Sequence, residues 1–221
     1  MVLEPKKISV EFWGDFACFT PPHAKVERYS YQAPTPPAAI GMLSAIYRKK
    51  SEFAWAIDEI AILNPIQYIS IQRNEVKVKA NRSLKPIDTT EVRTQRQTVA
   101  LKDVRYRITA HIVPRPEYED KIDQLYKQAE RRINCGQCFY QPNFGMSEFP
   151  AFFEMSDGTR EPCKEASFDM GIVVHDMWDV NKWKDIDYPL ERTLFHCVAK
   201  EGVIKVPSRD DPSIIRFERE G

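Results

Sequence analysis

Apolar and polar residues alternate most cleanly between Val104 and Ile112. Val104, Tyr106, Ile108, Ala110 and Ile112 fall on one face, and Arg105, Arg107, Thr109 and His111 on the other. That period of two predicts a half-buried strand with a cationic outer face. A second alternation, Ile8, Val10 and Phe12 against Ser9, Glu11 and Trp13, predicts a strand ending at Gly14. Between the two, Ala39, Leu43, Ile46 and Tyr47 recur at three and four residues and share a helical face. The helix spans about Thr35 to Arg48, with Thr35 as N-cap and Pro36 and Pro37 in the first turn. Arg48, Lys49 and Lys50 then fall where a helix C-terminus favours positive charge.

Phe53 to Leu63 is apolar and β-compatible, and Asn64-Pro65 breaks it. Ile66 to Lys79 reads as a further strand, whose end puts Val76 and Val78 on one face and Lys77 and Lys79 on the other. Ala80 to Gln97 is polar and lacks aromatic residues, the composition of a mobile hairpin tip or loop. Glu117 to Ile133 predicts a second helix, with Ile122, Leu125, Tyr126 and Ala129 inward. Phe168–Val174, Thr193–Ala199 and Val203–Val206 read as strands, the last two joined by the turn Lys200-Glu201-Gly202.

Strand, helix, strand, strand, helix, strand through about residue 150 is the ferredoxin-like order, shared by RNA-recognition (RRM) domains. The expected fold is therefore α+β. A ferredoxin-like domain over 1–150 and a strand-rich piece over 151–221 are expected.

Formal charge balances, 32 basic residues against 32 acidic, so bulk charge names no partner. Its distribution is uneven. Ile71 to Ala110 holds ten basic residues against four acidic, whereas Ser147 to Glu191 holds eleven acidic against four basic. A chain with one basic half can bind a polyanion there while staying neutral overall. The cations proposed for that surface are Arg28, Arg48, Lys49, Lys77, Lys79, Arg105 and Arg107. The rival reading of the same residues is an ordinary solvated face.

Met1 to Val10 has no apolar core of signal-peptide length, and no apolar run suits a bilayer span. Five cysteines, an odd number, fit reduced thiols better than a disulfide framework. A cytoplasmic protein with no membrane partner is expected. Cys135-Gly136-Gln137-Cys138 has zinc or redox spacing, but no second close pair follows it. With eight glycines and no phosphate-binding loop, no nucleotide cofactor is expected, and no metal.

One series of segments resembles a known family. Ser30-Tyr31-x-x-Pro34-Thr35-x-x-Ala38-x-x-Gly41 and Ile46-Tyr47-x-Lys49 are similar to the start of the CRISPR-associated Cas-five family, subtype I-C. Leu101-Lys102-Asp103-Val104-x-Tyr106, Gly136-Gln137-Cys138-Phe139-Tyr140-Gln141-Pro142 with Gly145, Met170 to Asp176 and Glu201 to Pro207 extend the likeness. The resemblance implies a protruding hairpin on the ferredoxin-like domain and a small antiparallel C-terminal sheet over 151–221. It implies metal-independent cleavage of CRISPR precursor RNA within its repeat. Attack by a ribose 2′-OH would leave a 2′,3′-cyclic phosphate. It also implies that the protein stays with the mature guide RNA among the other subunits of the type I-C surveillance complex. Duplex DNA is a further possible partner.

Such chemistry needs a base, cations for the phosphorane and an acid for the leaving oxygen. The family's catalytic tyrosine falls on Tyr47, which Arg48 and Lys49 would make a better base by lowering a pKa ordinarily near 10. Its lysine falls on Lys121. The companion histidine position holds Ile122, and a second holds Tyr140, leaving the acid open among Lys121, Tyr140 and His111. The alternative is a non-catalytic clamp for guide RNA, and a metabolic α+β protein with an incidental basic face is a third reading.

Overall fold

A computed structural model describes residues 5–24, 26–78, 88–176 and 192–217. Four strands make the frame: β1 (Lys7–Ala17), β3 (Phe53–Ile62), β5 (Arg93–Pro114) and β6 (Phe152–Met155), with β2 (Arg28–Tyr29) a short addition on β5. They pair antiparallel in the order β3-β5-β1-β6. Helices α1 (Pro36–Ile46) and α3 (Ile122–Asn134) connect them. The second and fourth of these strands thus flank the pair formed by the third and first, the ferredoxin-like arrangement. The fourth, β6, lies beyond residue 150, in a stretch whose sequence shows no alternation long enough to read.

The N-terminal half of β5 leaves the frame and pairs with β4 (Gln67–Val76), from Lys102 opposite Gln67 to Arg93 opposite Val76. A short helix, α2 (Thr89–Val92), precedes it, started by Asp88, whose carboxylate accepts from the Thr90 backbone N–H. The hairpin is longer than the sequence suggested, because Arg93–Gln97 belongs to a strand rather than to its tip. The reason is chemical. Gln72 pairs with Gln95 and Ser70 with Gln97 through side-chain hydrogen bonds, and a strand polar on its outer face has no hydrophobic period to detect. Residues 79–87, and with them Lys79, lie outside the described residues.

Beyond β6, β7 (Phe168–Asp176), β8 (Arg192–Lys200), β9 (Val203–Lys205) and β10 (Ile215–Phe217) are antiparallel. β9 also pairs with β3, so the sheet runs without a break from the frame into the C-terminal strands. Glu201 and Gly202 both have positive φ, 49° and 80°, as the two-residue β8–β9 turn requires. Only glycine fits the second position, since a Cβ there would stand 2.6 Å from the Cys163 carbonyl oxygen.

The core lies between the sheet and the two helices. Val10, Phe12, Ile60, Ile108, Ala110 and Ile112 of the strands meet Leu43 and Ile46 of α1 and Leu125, Tyr126 and Ala129 of α3. The Tyr126 hydroxyl accepts from the Ile112 N–H at 2.9 Å and donates to the Lys6 carbonyl, tying α3 to β5 and to the residue that leads into β1. Among the described residues, no helix is long and apolar enough to cross a membrane.

Candidate active site

Helix α1 ends one residue earlier than its apolar spacing suggests. Tyr47 is the C-cap, extended at φ −143° and ψ 120°, rather than a member of the helical face. Its N–H still bonds the Leu43 carbonyl at 2.9 Å, and its own carbonyl accepts from Trp55 Nε1 at 2.9 Å. The ring packs on Phe53, with centroids 5.1 Å apart, and only 2% of the residue is exposed. Leaving the helix here turns the phenol into the corner between α1, the start of β3 and α3.

The loop that follows is held from beneath. Arg115, just past β5, is buried and donates from Nε and Nη2 to the Lys50 carbonyl at 2.8 and 2.6 Å. Its N–H bonds the Glu52 carbonyl at 2.8 Å. Lys49 is consequently fixed beside Glu52, with Nζ 2.8 Å from both carboxylate oxygens. Arg48 is exposed and has no hydrogen bond or ion pair among the described residues.

A further cation comes from α3. Arg132 holds its guanidinium carbon 5.8 Å from the Tyr47 ring centre and 4.2 Å from that of Phe139. Nη1 reaches the Ile46 carbonyl at 3.4 Å. Nε is buried and unpaired among the described residues. Leaving a buried donor unpaired costs on the order of 1–3 kcal/mol, which contact with two aromatic faces helps to offset.

The turn after α3 explains the stacking. Gly136, at φ 63°, lets its own N–H bond the Ile133 carbonyl and the Gln137 N–H bond the Arg132 carbonyl, which reverses the chain. Phe139 N–H and Tyr140 N–H then both bond the Ala45 carbonyl, at 2.8 and 3.2 Å.

These surroundings reverse the expected shift of the phenol. Burial pushes Tyr47 above its ordinary value. Lys49 and Arg132 oppose that, Glu52 reinforces it, and the outcome is a raised pKa. Arg48, expected to help lower it, is not among the charges acting on it. Lys49 is raised chiefly by its Glu52 hydrogen bond, with Tyr47 and Tyr118 also favouring its charge. Tyr118 belongs to the 3₁₀ turn Pro116–Lys121 that leads into α3, and Lys121 Nζ lies 5.2 Å from its ring centre. Lys49 thus lies in the electrostatic reach of both Tyr47 and Tyr118, and Lys121 stands beside Tyr118.

His111 is not part of that group. It pairs in register with Ala56, whereas the neighbouring pair Ile112–Trp55 faces the helices and Tyr47. Alternation therefore sends His111 to the opposite side of the sheet. There Nδ1 lies 2.9 Å from Asp58, which also sits 3.5 Å from Lys7. Burial raises the Asp58 pKa, but His111 and then Lys7 more than offset it, leaving the carboxyl below its usual range. Tyr140, the other acid candidate, is 76% exposed and reaches the corner only through its backbone.

The basic strand face is also altered by register. Arg105 Nε bonds the buried Glu11 carboxylate at 2.8 Å, Nη2 bonds Glu154, and the guanidinium lies 4.6 Å from the Trp13 ring centre. Arg107 donates to the Arg160 carbonyl at 2.9 Å. The few local acids counted along the sequence did not include these cross-strand partners. Arg28 shares Glu75 with Arg96 toward the far end of the β4–β5 hairpin, and Lys77 is exposed just past β4. Arg105 is nine residues along β5 from Pro114, the partner of Phe53. At about 3.3 Å per residue, that is roughly 30 Å from the Tyr47 corner.

Glu52, Tyr118, Arg132 and Phe139 escaped the sequence reading, apart from Phe139 as part of a motif. The place of Arg132, one turn before the helix-ending Gly136, was the one available signal.

Known proteins were compared with this chain. The family model described as CRISPR-associated protein (Cas_Cas5), Cas5d branch, matches residues 8–213. A Thermus thermophilus protein named CRISPR pre-crRNA endoribonuclease Cas5d is 34% identical over 225 residues, covering 96% of each chain. A Mannheimia succiniciproducens protein of the same name is 36% identical over 221 residues, covering 91% of this chain and 95% of that one. Two solved structures share the fold at 22% identity. One is described as a CRISPR-associated protein and has a TM-score of 0.67. The other is a Streptococcus mutans protein described as functionally uncharacterized, with a TM-score of 0.66. Each covers 96% of this chain, with 97% of its own length. By its family match and by these relatives, the chain belongs to the Cas5d family of CRISPR-associated proteins.

Proposed function

We infer that this protein is an endoribonuclease that cuts CRISPR precursor RNA within the repeat, at the corner containing Tyr47. The observation that carries the reading is the Tyr47 phenol at the end of α1 with the Arg132 guanidinium 5.8 Å from its ring and Lys49 in the loop that follows. A phenol and several cations are the equipment for 2′-OH attack on the adjacent phosphate without a bound group. Two relatives carrying the name pre-crRNA endoribonuclease support the substrate class.

In this reading Tyr47 enters the reaction protonated. A buried phenol with a raised pKa holds its proton at neutral pH, and an approaching phosphate would hold it more firmly. It is better suited to donate to the leaving 5′ oxygen than to remove the 2′-OH proton. The proton passes from the Tyr47 hydroxyl to the 5′ oxygen as the phosphorus–oxygen bond breaks. Lys49, Lys121 and Arg132 supply positive charge for the phosphorane. The role left unassigned is then the base, not the acid.

The mature guide stays bound in this reading, and the chain serves as a subunit of the type I-C surveillance complex. A labelled repeat incubated with the purified protein in EDTA tests the proposal. A discrete product ending in a cyclic phosphate supports it. Intact, bound RNA would make the protein a guide-RNA clamp instead.

A further inference from the structure

Beside Tyr47 stands an aromatic side chain that no step above uses. Phe139 is 50% exposed, although a residue of its kind is ordinarily buried. One face of its ring lies against the Arg132 guanidinium, and its backbone N–H is fixed to the Ala45 carbonyl. The Gly136 turn returns it over the helix it has just left. Its position is therefore set on three sides while the ring stays open to solvent.

We propose that Phe139, backed by Arg132, is a stacking platform for one nucleobase of the repeat next to the cleaved bond. This rests on the endoribonuclease reading for its substrate. Arg132 lies within reach of both rings, 4.2 Å from Phe139 and 5.8 Å from Tyr47. Both rings share this one guanidinium, so a base on Phe139 is held one side chain away from the phenol. Base–aromatic stacking is tolerant of sequence because every base has a π face. It suits a single-stranded junction whose bases are splayed out. The guanidinium does two things at once. It holds the ring, and it puts positive charge behind the base, where the backbone phosphates pass. The unpaired Nε of Arg132 fits this account, since the side chain lies over two rings where it forgoes a hydrogen bond at that atom.

The test uses a repeat RNA with 2′-fluoro at every nucleotide, which removes the nucleophile and so prevents cleavage. 2-Aminopurine is moved through it one position at a time, and stacking is read as quenching. Wild type and Phe139→Trp should quench one position that flanks the bond cut in unmodified repeat. Phe139→Leu, which keeps apolar bulk without a π face, should lose that quenching and bind RNA about tenfold more weakly. Matching profiles for wild type and Phe139→Leu overturn the platform, and quenching far from the cut overturns its placement. Tyr47→Phe keeps the two readings apart, because it should keep the quenching and lose the cleavage. Wild-type protein that cuts no repeat ends the nuclease reading, while the quenching series still decides whether Phe139 stacks a base.

Discussion

Arg115 donates two hydrogen bonds to the carbonyl of Lys50, at 2.8 and 2.6 Å, from a fully buried position. This one clamp sets the loop that carries Arg48, Lys49 and Glu52 past the end of α1. Replacing Arg115 by Met keeps much of the volume and leaves the Lys50 carbonyl without its partner. Hydrogen bonds from a charged donor contribute about 1.5–3 kcal/mol each. Arg115→Met should lower unfolding free energy by about 3 kcal/mol in urea titration, with cleavage slowed at temperatures where the variant is still folded. Arg115→Lys should recover little, because an ammonium lacks the planar fork.

The protonated state of Tyr47 makes a prediction about leaving groups. Tyr47→Phe should slow repeat cleavage by a factor on the order of 10² or more. A repeat whose cleaved bond ends in a bridging 5′ sulfur needs no proton on its leaving group. On that substrate, wild type and Tyr47→Phe should cleave at comparable rates. A defect of equal size on both substrates would assign Tyr47 to the base instead.

Cations that look alike in the sequence should behave differently toward RNA. Arg48 is exposed without an acidic partner among the described residues, whereas Arg105 is held by Glu11 and Glu154. Each phosphate contact on single-stranded RNA contributes about 0.7 to the slope of log affinity against log salt. Arg48→Ala should flatten the slope by roughly that amount. Arg105→Ala should leave it nearly unchanged while destabilising the fold, since Glu11 is then a buried carboxylate with fewer partners.

His175 should make the fold sensitive to mild acid. Burial is the chief cause that lowers its pKa, and its Nε2–H donates to the Pro207 carbonyl at 2.9 Å. Arg209 and Arg216 also disfavour its charge, while Asp176 and the Pro207 carbonyl favour it. Well above about pH 6.5 the ring is neutral folded and unfolded alike, and contributes no pH dependence. As pH falls below that, the unfolded chain takes up the proton first, so stability drops until the folded ring also protonates. Unfolding free energy should fall between pH 7.5 and 5.5, and His175→Gln should lose less over the same interval. An unchanged drop in that variant would move the effect elsewhere.

The sequence by itself determined the elements whose signal is local. The alternation from Val104 to Ile112, the Thr35-Pro36-Pro37 helix start and the Glu201-Gly202 turn depend on steric and capping preferences of a few adjacent residues. All three stand where the pattern put them. Tyr47 and Lys121 come forward as candidates before any fold is known only through a resemblance spread along the whole chain, and their roles belong to the proposal.

Tertiary structure alone decided the chemistry around them, because electrostatics depends on distance in space. Residues 94 and 53 positions away pair with Arg105 and His111 only once strands are in register: Glu11 reaches Arg105 from β1, and Asp58 reaches His111 from β3. Pairing takes Arg105 out of play as a free cation, and the pleat puts His111 on the face away from Tyr47. Arg132 arrives at the phenol from a helix 85 residues later, with Phe139 folded over it. Nothing in the run Tyr47-Arg48-Lys49 foretold that burial would outweigh the neighbouring cations. Desolvation is a property of what packs around a group, and it left the phenol holding its proton more tightly than its sequence suggested.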